Sequence, residues 1–290
     1  MSKIVEIFGL KTTHEPSDLI KAITDQTCPY SKKKCYKTRK SDPSIAIGTC
    51  TLQYSSPIDK KAEKVSTIIC PNRLLERKQI FIDCLHLLTG HTPGNELHLV
   101  PEVKIPGGNV DFFLISAKDG KAKDFVGIEL QTLDTTGTIW PERQNLLKEL
   151  KIIDANTEVE KKPFGMNWKM TAKTILVQMH HKVETFEHIN KKMVLIIQDV
   201  LLDYMKKEFS FDHLNENVDI ADSFHLHAYQ LKNDNSKQDF MISLSKRLST
   251  DADGIGVCLG LKTEAKVELE ALIALLQSKI SEHTSLTLEL

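Results

Sequence analysis

The sequence has no hydrophobic run long enough to cross a membrane. Its longest apolar stretches, "VLII" and "ALIALL", fall far short of the roughly 20 residues that a membrane-spanning helix needs. The first residues, "MSKIVEIFGLKTTHEPS", lack the charged head and long apolar core of a secretory signal peptide. Internal repeats and low-complexity tracts are also missing. We therefore expect a cytoplasmic protein with no membrane partner.

An excess of charge of either sign is also missing. The chain has 38 Lys and Arg residues against 39 Asp and Glu residues, a formal net charge of -1. Such a chain has no global attraction for nucleic acid, so a DNA-binding surface must come from local clustering. One cluster is "KKKCYKTRK" at residues 32–40, with six basic residues. These side chains are candidates for phosphate contacts, although a solvated charged loop explains them almost as well.

The chain of 290 residues is long enough for one large domain or about two ordinary ones. A short strand or loop, "KIVEIFGL", is expected before a first helix capped by Ser17. Apolar patterning predicts later strands at "HLVPEVKI", "VDFFLISA", "DFVGIELQTL", "MVLII" and "SFHLHAYQL". Helices are predicted over residues 17–26, 74–89, 141–151, 167–182 and 263–282, and directly after "MVLII". Strands flanked by helices favour a mixed α/β (α+β) core.

The cysteines are unevenly distributed, and this predicts a metal site. Four of the six lie in a loop-rich, basic first quarter with the spacing Cys-x6-Cys-x14-Cys-x19-Cys: Cys28, Cys35, Cys50 and Cys70. Four soft thiolates suit zinc or a single iron, and loop-rich segments often depend on such a metal for folding. The alternative is that some are ordinary buried cysteines, which is the interpretation we favour for Cys84 and Cys258.

The stretch "DFVGIELQTLDTTG" at residues 124–137 reads as a buried strand that carries an acid and an amide. Glu129 and Gln131 share one face of this strand, while Ile128 and Leu130 occupy the other. A buried charge is costly unless a partner compensates for it. The sequence therefore demands a partner for Glu129.

Asp111 opens the preceding strand, so antiparallel pairing is expected to bring it near Glu129 and Gln131. Carboxylates at the ends of neighbouring strands are suitable ligands for Mg²⁺ in a phosphodiesterase site. Glu102 is a candidate for a further acid and Glu96 a weaker one. In the alternative interpretation, a buried base satisfies Glu129 and Asp111 caps a turn.

Both motifs together resemble the NotI-like type II restriction endonucleases, including the shorter EagI-type members. The segments that carry the resemblance are "CPYSKKKC", "IGTC", "IICPNRL", "VGIELQTLDTTG" and "FGMNW", with weaker similarity in "VLIIQDVLLDYM" and "SLSKRL". The resemblance implies a PD-(D/E)xK nuclease core, a mixed sheet flanked by helices. It also implies a nuclease and dimerisation domain over residues 74–290, preceded by a four-cysteine segment over residues 1–73.

The resemblance also implies roles for individual residues. Asp111 and Glu129 would hold Mg²⁺, and Gln131 would stand where the pattern usually has lysine. The proline of the motif is missing, since Val110 precedes Asp111. One iron, with zinc as the alternative, would lie on the four N-terminal cysteines.

The expected enzyme is a homodimer that cuts double-stranded DNA at a short, GC-rich palindrome in a bacterial or archaeal cell. A cognate methyltransferase would protect the host DNA. Two other functions stay open at this stage. One is a non-catalytic DNA-binding protein built on the four-cysteine metal site. The other is a repair or mobile-element nuclease that recognises DNA structure.

Overall fold

The structure, a computed structural model, describes residues 2–58, 64–160, 162–234, 239–261, 273–274 and 277–278. The strands are β1 Ile4–Ile7, β2 Leu10–Lys11, β3 Thr38–Arg39, β4 Asp42–Ala46, β5 Thr49–Ser55, β6 Lys64–Ile68, β7 Glu96–Ile105, β8 Gly108–Lys118, β9 Lys121–Leu130, β10 Thr135–Thr136, β11 Gly165–Met166, β12 Lys192–Gln198, β13 Phe224–Asp234 and β14 Asp239–Thr250. The α-helices are α1 Pro16–Asp25, α2 Gln79–Ile82, α3 Trp140–Glu149, α4 Trp168–His188, α5 Asp199–Glu208 and α6 Ala252–Cys258. Two 3-10 helices span Pro71–Lys78 and Leu85–Leu87.

The largest sheet has six strands in the order β14-β13-β12-β9-β8-β7. β7, β8 and β9 form an antiparallel meander, whereas β12 runs parallel to both β9 and β13. A parallel pair needs a long crossover connection, and α3 and α4 lie in the one from β9 to β12. A mixed sheet with flanking helices confirms the predicted α/β class.

Alternation along β9 and β12 builds a separate core on each face of this sheet. On one face, Met179 and Phe186 of α4 pack with Leu195 of β12. On the other face, Ile128 and Leu130 of β9 pack against residues of the Pro71–Lys78 and Leu85–Leu87 helices. The predicted division of β9, with apolar residues on one face and Glu129 on the other, is therefore confirmed.

The N-terminal segment is more regular than the sequence suggested. We expected residues 28–73 to be loop-rich, but β5 and β6 complete a four-stranded sheet in the order β2-β1-β5-β6. Threonine, valine and isoleucine favour extended backbone in "TCTLQYS" and "KVSTI", which explains these strands. Ile4, Ile7 and Leu52 of this sheet pack with Leu19 of α1.

Other predicted helices differ in their details. The single helix expected over residues 74–89 is replaced by short helices, because Arg77 and Lys78 adopt left-handed backbone angles that interrupt it. The N-cap position of α1 is Glu15 and not Ser17, since Pro16 is the first residue of the helix, and the Glu15 side chain makes no capping hydrogen bond. Strand β14 and helix α6 were not predicted. The helix predicted over residues 263–282 lies outside the described residues, apart from 273–274 and 277–278. None of the helices described is long and apolar enough to span a membrane.

Arg73 joins the two sheets through buried charge. It is fully buried, and its Nε lies 2.9 Å from Glu6 Oε1 on β1. Its other nitrogens donate to Glu76 at 3.0 Å and to the carbonyl of Phe240 on β14 at 2.9 Å. The predicted domain boundary between residues 73 and 74 falls inside the Pro71–Lys78 helix. Because its side chain is fully buried, Arg73 is not placed to read a DNA base.

We predict that Arg73→Met lowers the free energy of unfolding by about 3–5 kcal/mol, because Glu6 is left as an unpaired buried charge. Denaturant unfolding measures this change. Lys246→Met is the matched control, since Lys246 pairs with Asp203 on the surface and its loss should cost about 1 kcal/mol or less. Equal losses in the two variants would contradict a role for Arg73 in joining the sheets.

Candidate active site

Three carboxylates lie side by side on the neighbouring strands β7, β8 and β9. Phe112 of β8 pairs with Ile128 of β9, and the antiparallel register then sets Asp111 beside Glu129. On its other side, Asp111 falls opposite Glu102 of β7. The structure thus brings together the acids that the sequence singled out, in a row across one edge of the sheet.

Hydrogen bonds link the two inner acids and the amide. The backbone N–H of Leu130 donates to Asp111 Oδ2 at 2.8 Å. The N–H of Asp111 lies 3.4 Å from Glu129 Oε2, and the Gln131 amide donates to Glu129 Oε1 at 3.3 Å. Asp111 therefore bonds to the backbone of the adjacent strand, and it does not cap a turn.

The electrostatics of the site favour a cation. Burial raises the pKa of Glu129, and the nearby charge of Asp111 raises it further. Burial also raises the pKa of Asp111, to which the charge of Glu102 adds. Acids that repel one another in a partly buried place are stabilised in their charged form by a divalent cation.

A lysine that sequence reasoning missed completes the site. Lys182 of α4 is 5% exposed, and its Nζ donates to Glu129 Oε1 at 2.7 Å. The buried base of the alternative interpretation is therefore present, together with the carboxylate row. A signal existed in the sequence, because Lys182 follows Met179 and precedes Phe186 on the buried face of α4. A lysine in an apolar helical stripe indicates a buried partner.

The turn between β7 and β8 is fixed against α4 at this lysine. Gly107 has a φ of +91°, and a Cβ there would lie 2.9 Å from the carbonyl oxygen of His181. A Cβ on Gly108 would lie 3.5 Å from Lys182 Cε. The Thr185 hydroxyl also donates to the carbonyl of Pro106 at 3.0 Å. The "PGGN" turn thus needs glycine both for its backbone angle and for close contact with the helix.

The two candidates for an additional acid differ in position. Glu102 is exposed with a φ of +54°, and its charge acts on Asp111. Glu96 pairs in register with Ala117 at the far end of the hairpin, and His98 contacts its carboxylate at 3.1 Å. The geometry therefore favours Glu102 over Glu96.

The four N-terminal cysteines come from three elements, and all are buried with free thiols. Cys28 and Cys35 flank a tight loop, Cys50 lies on β5, and Cys70 precedes the Pro71–Lys78 helix. Burial raises the pKa of Cys70, the charge of Lys37 opposes this, and Cys35 and Cys28 raise it further. Burial also raises the pKa of Cys50, with a contribution from Cys70. Cys70 is thus close enough to the other three thiols for charge on one to affect the pKa of another.

No three of the four cysteine sulfurs lie within 4.8 Å of one another. Across the described ranges, the one group with three potential ligand atoms within 4.8 Å of one another is His180, His181 and Glu184, on the outer face of α4. Glu184 and His181 are exposed. His225 and His227, which alternate along β13, are both fully buried.

A basic cleft is lined by residues of the cysteine segment and by residues that follow β9. The basic cleft has a volume of about 1050 Å³, and Arg39 and Lys40 line it on one side, with Asp134 and Trp140 on the other. The guanidinium of Arg39 stacks on the Trp140 ring at 4.6 Å. Arg143 is 3% exposed, so it is not placed to contact a DNA base.

Comparison with known proteins gives one family. A family model described as restriction endonuclease NotI matches residues 16–242, which include the four cysteines, the carboxylate row and Lys182. No curated protein matches the chain.

We predict that Gly107→Ala destabilises the fold more than Gly94→Ala does. The two glycines have φ values of +91° and +90°, so both substitutions incur similar backbone strain of about 1–2 kcal/mol. Only the Cβ at position 107 meets α4, since Gly94 has open space around it. Denaturant unfolding of both variants measures the difference, which we expect to be about 1 kcal/mol or more. Equal losses would show that the turn is not fixed against α4.

Proposed function

The chain belongs to the NotI restriction endonuclease family, and from this premise we propose that it is a type II enzyme that hydrolyses DNA with Mg²⁺. Family membership makes it a site-specific endonuclease acting on double-stranded DNA, in a system that typically includes a cognate methyltransferase. We propose a short, GC-rich palindrome as its target and a homodimer as the active form. A twofold dimer matches the symmetry of a palindrome.

The observation that carries the catalytic proposal is the row formed by Glu102, Asp111 and Glu129 on three neighbouring strands. Carboxylate oxygens are ligands that Mg²⁺ prefers, and the raised pKa values of Asp111 and Glu129 fit a place that a cation completes. We assign Asp111 and Glu129 as the ligands, with Glu102 as a further acid. Held by these residues, Mg²⁺ would supply a Lewis acid that activates water and stabilises the leaving oxygen. Gln131 orients water or phosphate through its amide but neutralises no charge.

The surface that supports DNA binding is the basic cleft with the lysines beside it. Lys32, Lys33 and Lys40 are exposed, so their charges are free to meet phosphates. Arg39 is held in place by its stacking on Trp140. Contacts of this type give affinity and orientation without reading sequence.

For the four buried thiols we propose one structural metal, iron or zinc. The donor set is all sulfur, which suits either metal. Cys35 and Cys28 both raise the pKa of Cys70, which fits thiols that a cation would bring together. Such a metal would tie the loop between Cys28 and Cys35 to β5 and to the Pro71–Lys78 helix.

We predict that Asp111→Asn and Glu129→Gln each lower the cleavage rate of plasmid DNA with Mg²⁺ by at least about 100-fold, because metal-assisted charge stabilisation amounts to several kcal/mol. DNA binding, measured by filter retention, should persist. Glu102→Gln should slow cleavage, whereas Glu96→Gln, on the same strand but far from Asp111, should not.

The plasmid digest also separates the candidate functions. Discrete fragments from the wild-type protein support a site-specific endonuclease, and sequencing of the fragment ends identifies the target. Retention of DNA without cutting indicates a binding protein, and cuts without a common sequence indicate a structure-specific nuclease. Full cutting by both the Asp111 and Glu129 variants would overturn the catalytic assignment.

We predict about one iron or zinc ion per chain, since four thiolates form one tetrahedral site. Cys50→Ser should remove most of this metal and lower the unfolding temperature. Cys84→Ser is the control, because Cys84 is equally buried but lies in the core of the large sheet and should not change the metal content. Elemental analysis of purified protein measures both. Metal-free wild-type protein that still cuts DNA would refute a structural metal.

A further inference from the structure

The proposed active site has an imbalance of charge among its polar groups. Glu102, Asp111 and Glu129 bring three negative charges, and a DNA phosphate adds another. Gln131, which projects from the end of β9, is neutral. Lys182 is the buried cation that contacts this row, and it arrives from a helix and not from the strand.

Lys182 and Gln131 converge on the same atom. The ammonium of Lys182 lies 2.7 Å from Glu129 Oε1, and the Gln131 amide lies 3.3 Å from that oxygen. The two side chains therefore share the space beside one carboxylate oxygen. The Lys182 ammonium therefore lies near the place that the ammonium of a lysine at position 131 would occupy.

The Lys182 ammonium is held in position before any substrate arrives. Its helix turn contacts Gly107 and Gly108, and Thr185, one turn later, bonds to Pro106 of the same hairpin. The side chains of Lys182 and Glu129 are each 6% exposed, so few alternative rotamers are open to them. Groups positioned in advance and shielded from water act more strongly on a developing charge than mobile surface lysines do.

A second ion pair at the same sheet, between the buried Asp124 and the half-buried Lys191, serves for comparison. Asp124 of β9 accepts from Lys191 Nζ at 2.7 Å and from the N–H groups of Gly90 and Phe125. Although burial acts to raise it, these bonds hold the pKa of Asp124 below its ordinary value. Glu129 accepts from Lys182 but also lies beside the carboxylate of Asp111 on β8. The contacts of Asp124 given above are all with hydrogen-bond donors, and we call its pair with Lys191 the closed pair.

We propose that Lys182 is a catalytic residue, whose ammonium group contacts the phosphate being hydrolysed and supplies the positive charge that Gln131 lacks. This inference rests on the proposed endonuclease function. In the reaction, the oxygen of water bonds to phosphorus as one P–O ester bond breaks. The water proton ends on the leaving oxygen, so the products are a phosphate monoester and a free hydroxyl. Lys182 is unchanged by the reaction and stabilises the charge on the phosphate oxygens in the transition state.

The test is an exchange of the two side chains. Lys182→Gln replaces the ammonium by a neutral and shorter amide donor, so we expect the single-turnover cleavage rate with Mg²⁺ to fall about 100-fold or more. In the double variant Lys182→Gln/Gln131→Lys the charge returns from the strand, and the rate should recover at least tenfold. DNA affinity in Ca²⁺ and the unfolding temperature are measured for each variant.

Lys191→Gln is the matched control, because it removes the lysine of the closed pair with Asp124. It should cost stability while leaving the cleavage rate within about threefold of wild type, since it is outside the active site. A Lys182→Gln enzyme that cuts within tenfold of wild type would overturn the proposal. So would a double variant without recovery, or a Lys191→Gln enzyme that is slowed equally. If wild-type protein cuts no DNA, the proposed function itself fails; if only Lys182→Gln cuts normally, that function stands without Lys182.

Discussion

The free energy needed to keep the Glu129 carboxylate inside the protein governs the arrangement around it. A charge at this depth is tolerated only with partners, and the structure supplies Lys182, the N–H of Asp111 and the amide of Gln131. Each partner comes from a different part of the fold: a helix, the adjacent strand and the end of β9. The need to compensate one carboxylate thus ties the helix, the hairpin and the strand into a single unit.

A second buried charge, that of Arg73, joins the small sheet to the large one. Arg73 connects Glu6 of the small sheet to the backbone of β14 in the large one. The Pro71–Lys78 helix that carries it begins directly after Cys70. The same short segment therefore links the cysteines to the large sheet. The structural metal that we propose there would order the basic cleft without contacting the carboxylate row.

The parts of the site that the sequence could predict are those encoded locally. Alternation identified β8 and β9, and antiparallel pairing then placed Asp111 beside Glu129. Lys182 could not be found this way, since it is 53 residues from Glu129 and its contact depends on how α4 packs. The single helix predicted over residues 74–89 was wrong although its apolar residues do face a core, because the left-handed backbone at Arg77 and Lys78 interrupts it. Apolar spacing alone gives no signal for such an interruption.

The position of the positive charge has a consequence for how the site assembles. A lysine at position 131 would be present whenever β9 forms, because strand geometry alone would place it beside Glu129. A lysine on α4 reaches Glu129 only when the helix is packed on the sheet and the Gly107–Gly108 turn is closed against it. The contact between this lysine and Glu129 is thus a property of the completed fold. Partly folded chains that already contain β8 and β9 would hold the acids without the cation, and on our proposal they would lack its stabilisation of the transition state.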